Sequence, residues 1–316
     1  MLRRLWYWMK RHTPQTFKPV ILVTGCSSGI GLALAKFLYR MPQYRVVITA
    51  RRASLETVRG RFQESERFWL RELDVTSQRD RDRLIQEIEE KWGGVNILVN
   101  NAGVSYRSVV EHMTADDEFR QMNANYFGPV ELIRLVLPTM RRLGRGKIIN
   151  ISSVSGMLAM PTMASYSASK YALEGLSEAL WYETKPFGID VSLIQPGFIR
   201  SNSFKNVYYT KLSHPDHWQE GIYGDYYANM SPFIEKLMGL SRTDPFDVAR
   251  LVIKVIQQEN PPLWIPATID ARIFYYLRRW IPRRFLMPLL FAALPKARTW
   301  GSQHTKKRTG TFRGAG

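Results

Sequence analysis

The sequence has 316 residues, 45% of them hydrophobic and 23% charged, with a formal net charge of +18. That length allows one large domain or two, and the balance is that of a folded chain rather than a disordered one. A single cysteine, Cys26, excludes an internal disulfide framework, and five scattered histidines offer no metal-ligand spacing, so no metal site is expected.

The charge is concentrated at the ends. Residues 1–20 hold five Lys/Arg and residues 271–316 hold eleven, with no acid in either stretch. Residues 21–270 then carry 29 basic against 27 acidic side chains, an ordinary near-neutral body. No stretch approaches the roughly 20 apolar residues that span a bilayer. Leu5-Trp-Tyr-Trp-Met9 is too short for a signal-peptide core, so a cytoplasmic protein is expected.

Val20-Ile-Leu-Val23 is a short apolar run ending in a glycine-rich turn, and Leu32 to Tyr39 follows with helical spacing. Val46 to Thr49 predicts a second strand, and Phe68-Trp-Leu70 with Leu73 a third. From Arg79 to Trp92, apolar Leu84, Ile85 and Ile88 recur in a charged background, which predicts an amphipathic helix. Val95 to Val99 reads as a fourth strand, about Phe119 to Leu143 as a long helical stretch, and Lys147 to Ile151 as a fifth strand. A helix over about Ser165 to Thr184 precedes a sixth strand, Ile189 to Ile194. Continuously apolar strands alternating with helices predict an α/β fold with a parallel sheet covered on both faces. Such sheets bind ligands at the carboxyl ends of their strands. Polar residues do cluster there: Gly25 to Gly31, Arg51, Asp74, Asn100 to Gly103 and Ser152-Ser153 each follow a strand directly.

Thr24-Gly-Cys-Ser-Ser-Gly-Ile-Gly31 follows the first strand and opens the first helix, a context in which backbone N–H groups can face a pyrophosphate. The candidate cofactor contacts here are Gly25, Ser27, Ser28, Gly29, Ile30 and Gly31. Arg51 stands after the second strand, where an NAD site usually carries an acid for the ribose 2′-hydroxyl. A guanidinium in place of that acid suits the 2′-phosphate, so NADP(H) is expected over NAD(H). Tyr166 and Lys170 are four apart in a helical stretch and therefore share a face. A free tyrosine, with a pKa near 10, is too weak a base at neutral pH, and the nearby ammonium is expected to lower it. Ser153, at the end of the fifth strand, could orient a substrate oxygen toward Tyr166.

These segments resemble the short-chain dehydrogenase/reductase family. Thr24-Gly-x-x-x-Gly-x-Gly31 is similar to its cofactor loop, and Leu73-Asp-Val75 to its adenine-pocket segment, which implies contacts from Asp74 and Val75. Asn100-Asn-Ala-Gly103 is similar to the motif that steadies the central sheet and lines the cofactor, implying Asn101, Ala102 and Gly103. The resemblance implies a catalytic tetrad of Asn125, Ser153, Tyr166 and Lys170, with Asn125 holding a water that links the lysine to solvent. Pro196, Gly197 and Ile199 resemble the loop that packs on the nicotinamide, and Ser201 stands near the family's usual threonine. The resemblance implies a Rossmann-type doubly wound sheet, hydride transfer between a nicotinamide and an alcohol or carbonyl, and a homo-oligomer. Cys26 reads as a small filler and not a nucleophile.

Between Ser201 and Asp244 the chain turns aromatic, with Phe204, Tyr208, Tyr209, Trp218, Tyr223, Tyr226, Tyr227 and Phe233. The resemblance makes this a lid over the substrate. Its rings suit either a bulky apolar ligand, such as a lipid-, steroid- or retinoid-like alcohol or ketone, or simple lid packing. Residues 272–294 mix arginines with Trp, Phe and Leu, as expected of an interfacial helix pair broken near Pro282 and Pro288 on an anionic membrane surface. Leu2 to Arg11 has the same character; packing or oligomer contact is the alternative, and no nucleic-acid motif accompanies the charge. The layout expected is a basic N-terminal segment over 1–17, a catalytic domain over 18–265 with its lid at about 201–244, a basic extension over 266–300 and a polar disordered tail over 301–316. A non-catalytic NADP-binding regulator on the same fold is the rival reading.

Overall fold

The computed structural model describes residues 17–201, 207–218 and 221–300. Leu2 to Arg11, Phe204 and the 301–316 tail lie outside the described residues.

Seven strands form one parallel sheet: β1 (Val20–Val23), β2 (Arg45–Ala50), β3 (Phe68–Glu72), β4 (Ile97–Asn100), β5 (Gly146–Ile151), β6 (Ile189–Gln195) and β7 (Trp264–Pro266). Their order is β3-β2-β1-β4-β5-β6-β7, all parallel. The order reverses direction between β1 and β4, the switch point at which doubly wound sheets open a ligand crevice.

The side chains of β1 alternate between two buried clusters. Ile21 and Val23 face α1 (Gly29–Tyr39), α2 (Arg52–Arg59) and α8 (Pro245–Gln257), where Leu34, Leu38, Leu55, Val252 and Ile256 are buried. Val20 and Leu22 face α3 (Gln78–Trp92), α5 (Gly128–Arg142) and α6 (Ala164–Thr184), through Leu84, Ile88, Leu132, Val136 and Leu180. Burial on both sides is why the strands read as unbroken apolar runs rather than alternating ones. Each fully buried Leu or Ile contributes on the order of 2 kcal/mol by leaving water.

Several elements depart from the sequence expectation. The helical stretch expected from Phe119 begins earlier, at α4 (Ala115–Met122), because Thr114 Oγ1 caps it by accepting from Asp117 N at 3.1 Å. It is interrupted by a π-helical turn, Asn123–Phe127, before α5. Arg52 starts a helix, α2, with only Leu55 and Val58 buried, so the sequence showed too little apolar periodicity to reveal it. β7 is three residues long and ends in proline, tolerable because it is the edge of the sheet. α7 (Gly224–Leu240) forms the lid helix. The C-terminal pair is α9 (Ile269–Trp280) and α10 (Arg283–Ala293). Pro282 does break them apart, but Pro288 lies inside α10 and does not end it.

Candidate active site

The carboxyl ends of β1 to β6 open into one cleft of about 1150 Å³. It is lined by Gly25, Ser27, Ser28, Gly29, Ile30, Arg51, Asp74, Val75, Asn101, Ala102, Gly103, Ser153, Tyr166, Lys170, Pro196, Gly197, Ile199 and Ser201. Of the sequence-predicted residues, only Gly31 and Asn125 stand behind its wall.

The turn after β1 has a shape that side chains would block. Gly25 and Gly29 have φ of +71° and +55°, the left-handed region. A Cβ on Gly31 would strike the Gly25 carbonyl oxygen and come within 2.5 Å of Asn101 Nδ2. Asn101 Nδ2 donates to Thr24 O and Gly25 O, both at 2.9 Å, and Thr24 Oγ1 accepts from the backbone N–H of Asn101 and Ala102 at 3.0 Å each. The segment after β4 thus clasps the loop after β1. Ser28 gives α1 no side-chain cap, and a Cβ on Gly29 would meet nothing within 4 Å. An uncapped helix start beside open space is a seat for a pyrophosphate. These residues fit a dinucleotide.

Arg51 is the N-cap residue of α2 and lines the cleft with Ser54 and Thr57. Its Nη2 donates to the Tyr208 hydroxyl at 3.4 Å. Asp74 Oδ1 accepts from Thr76 N at 2.9 Å and Thr76 Oγ1 at 2.7 Å. Cys26 is fully buried, and burial pushes its thiol up to about 12, which removes it from nucleophilic chemistry at neutral pH.

Tyr166 sits in the first turn of α6 and lines the cleft together with Ser153. Lys170, one turn on and 6% exposed, donates from Nζ to Ile151 O at 2.9 Å and lies 5.8 Å from the Tyr166 ring centre. The expected lowering of the tyrosine pKa by this lysine does not hold here. Burial dominates and raises Tyr166 above its usual value; hydrogen bonding to Ser153 and the charge of Arg107 oppose it. Burial pushes Lys170 down to about 8, with Glu174 opposing. Asn125 is wholly buried in the π-helical turn, where Oδ1 accepts from Val104 N at 2.8 Å and Nδ2 donates to Val104 O at 2.9 Å and Ser169 Oγ at 3.0 Å. It ties the strand β4 loop to α6, beside Lys170.

The sequence reading passed over three supports. Glu174, one turn beyond Lys170, accepts from Ser152 Oγ at 2.7 Å and Gln195 Nε2 at 2.9 Å, joining α6 to the ends of β5 and β6; burial raises its carboxyl. Thr268 Oγ1 accepts from Gly197 N and Asp270 Oδ2 from Phe198 N, both at 2.9 Å. The start of α9 therefore pins the loop after β6. Arg107 is 7% exposed and lines the cleft. An i,i+4 acid after the lysine was the one available signal for Glu174; the others depend on long-range contacts.

The lid rings mostly pack together. Tyr227, 2% exposed, stacks on Trp218 and His112, and Tyr226 packs on Trp300. Of the aromatic residues in this segment, Tyr208 lines the cleft. Its apolar wall comes instead from Met160, Met163, Phe198, Ile234 and Met238.

The family model described as short chain dehydrogenase matches residues 19–211. The chain belongs to the short-chain dehydrogenase/reductase family. It is 33% identical over 279 residues to a 3-ketodihydrosphingosine reductase of Bacteroides thetaiotaomicron, covering 82% of this chain and 98% of that one. It is 34% identical over 253 residues to retinol dehydrogenase 8 of Bos taurus, covering 77% and 79% respectively. A solved short-chain dehydrogenase from Streptomyces avermitilis superposes with a TM-score of 0.69 at 31% identity, over 84% of this chain and 97% of that one. As a member of this family the chain is an oxidoreductase of the dehydrogenase/reductase type.

Proposed function

We propose that this protein is an NADP(H)-dependent oxidoreductase that interconverts a hydrophobic alcohol and its ketone or aldehyde, with Tyr166 as the general acid and base. The observation that carries the reading is that Tyr166, Ser153 and Lys170 line the same cleft as the clasped glycine turn. Gly25 to Gly31 with the α1 N-terminus would hold the pyrophosphate, Asp74 and Val75 the adenine, and Pro196 to Ile199 the nicotinamide. Arg51, with Ser54 beside it, would hold the 2′-phosphate. When bound, NADP(H) supplies or accepts the hydride.

The chain's own residues manage the proton. In reduction the Tyr166 phenol donates its proton to the substrate oxygen, which the Ser153 hydroxyl orients. In oxidation the phenolate accepts the proton from the alcohol. Lys170, pushed down to about 8 and held at the Ile151 carbonyl, is close enough to neutrality to lose and regain a proton as Tyr166 is recharged. The methionine-rich wall supports an apolar substrate, since methionine adapts to irregular apolar shapes. A spectrophotometric assay of NADPH oxidation with long-chain and polycyclic ketones tests this. Turnover of apolar ketones with NADPH is the expected result, and no turnover across the panel would refute it.

Peripheral attachment to a membrane is part of the proposal. Ile269, Ile273, Tyr276 and Trp280 recur on α9 at helical spacing and are 52–80% exposed, and Phe285, Met287, Leu289 and Phe291 are exposed on α10. Arg272, Arg278, Arg279, Arg283 and Arg284 lie among them. Exposed apolar residues interleaved with arginine suit an anionic lipid surface. No helix among the described residues is long and apolar enough to cross a membrane.

A further inference from the structure

Glu174 is an acid only 5% exposed, one helical turn beyond Lys170 and on the same face of α6. It does not line the cleft, and the proton relay as drawn above does not use it. Its Oε1 accepts from Ser152 Oγ at 2.7 Å and from Gln195 Nε2 at 2.9 Å. Lys170 Nζ donates to the carbonyl of Ile151, the residue before Ser152. Helix α6 is therefore tied twice to the end of β5, at Ile151 by Lys170 and at Ser152 by Glu174, and Ser153 comes next in the chain. The turn that carries Ser153 closes directly over the second tie. Ser153 Oγ accepts from Ser155 N at 3.1 Å, and a Cβ on Gly156 would strike both Glu174 Oε1 and Ser152 Oγ.

A carboxylate is costly to bury unless donors and an opposite charge meet it. Glu174 has both. Ser152 and Gln195 donate to it, and the charges that act on it are Lys170 on its own helix and Arg278 on α9. Glu174 in turn holds Lys170 toward its charged form, against the burial that brings the lysine down to about 8. The remaining titratable member of the relay, Tyr166, feels the charge of Arg107. We infer that Glu174 is a positioning residue of the proton relay: its carboxylate keeps Lys170 charged and, through Ser152, fixes the turn that presents Ser153. This rests on the relay proposed above and adds a residue to it. No covalent step is added to the reaction, and Glu174 touches neither substrate nor cofactor.

The charge of Lys170 is read without turnover by titrating the carbon-13 signals of the lysine side chains in the full-length protein, with Lys170→Met assigning the peak. The wild type titrates near 8. Glu174→Gln still offers an oxygen to Ser152 and Gln195 but carries no charge. Its Lys170 titrates lower by about half a pH unit or more, and the alkaline fall of kcat/KM for ketone reduction moves down with it. Glu174→Asp keeps the charge and stays nearer to the wild type. Ser152→Ala keeps the carboxylate and releases its hold on β5; kcat falls by roughly fivefold, the worth of one hydrogen bond, while NADPH affinity is unchanged. A Lys170 titration that Glu174→Gln leaves unmoved, or an unchanged kcat in Ser152→Ala, overturns the inference. So does a Glu174→Gln protein that no longer binds NADPH, because that outcome makes Glu174 a residue of the fold alone. A wild type that reduces no ketone while its Lys170 signal still moves in Glu174→Gln refutes the oxidoreductase reading and leaves the coupling of Glu174 to Lys170 standing.

Discussion

Replacing Arg51 with glutamine isolates the charge proposed to hold the 2′-phosphate. Arg51 caps α2 from the end of β2, shares its stretch of cleft with Ser54 and Thr57, and is electrostatically linked to Asp74. Its Nη2 donates to the Tyr208 hydroxyl, and at 3.4 Å that bond is long, so little is given up when a phosphate takes the guanidinium. A hydrogen bond to a charged group is worth about 1.5–3 kcal/mol, and because the site is partly open the lower half of that range applies. Arg51→Gln should therefore weaken NADP binding by roughly 10- to 50-fold. Glutamine can still reach Tyr208, and NAD lacks the 2′-phosphate, so NAD binding should change by no more than about twofold, within the range usual for a surface substitution. Fluorescence titration with the two reduced cofactors reads both numbers. Equal weakening of NADPH and NADH would refute the 2′-phosphate role and leave Arg51 as a residue that merely shapes the loop.

Gly31→Ala drives a methyl group into the Gly25 carbonyl and Asn101 Nδ2, so it should lower cofactor affinity at least tenfold and destabilise the protein by about 1–3 kcal/mol; unchanged NADPH binding and melting temperature would contradict the clasped-turn account. The reduction rate should hold steady below neutrality and fall as pH rises through about 8, where Lys170 loses its proton, since Tyr166 is raised and stays protonated there. A pH profile of kcat/KM that is flat from about pH 7 to about pH 10 would remove Lys170 from the relay. Changing Trp280 and Phe285 together to serine should abolish co-flotation with vesicles rich in anionic lipid while leaving NADPH binding intact; undiminished flotation would exclude α9 and α10 as the attachment.

Much of this was legible in the sequence, for identifiable reasons. Strands buried on both faces appear as continuous apolar runs, so β1 to β6 stood out, and the glycine turn was legible because Gly25 and Gly29 adopt a backbone that other residues resist. α2 and β7 were hidden because each buries too few residues to leave a pattern. Gly197 is held by Thr268 and Phe198 by Asp270, some seventy residues further along, contacts that spacing cannot predict. The lid's aromatic density suited either a bulky ligand or lid packing, and only the structure separates them: Tyr227 stacks on Trp218 and His112, and methionines line the cleft. The tyrosine pKa was read with the wrong sign because spacing reveals the neighbouring lysine but not the depth of burial. Arg107 looked like one more arginine in a basic chain until two backbone bridges fixed it in the wall.

The claim that everything else depends on is that the Tyr166 hydroxyl carries the proton. Tyr166→Phe removes that hydroxyl and keeps the ring that packs against Met163 and Ile234. NADPH oxidation by an apolar ketone that the wild type turns over, measured beside NADPH binding, is the direct test. The account predicts that kcat falls by at least about 100-fold, the usual contribution of a positioned general acid, while the dissociation constant for NADPH stays within about twofold. A Tyr166→Phe protein that keeps its turnover number would contradict it.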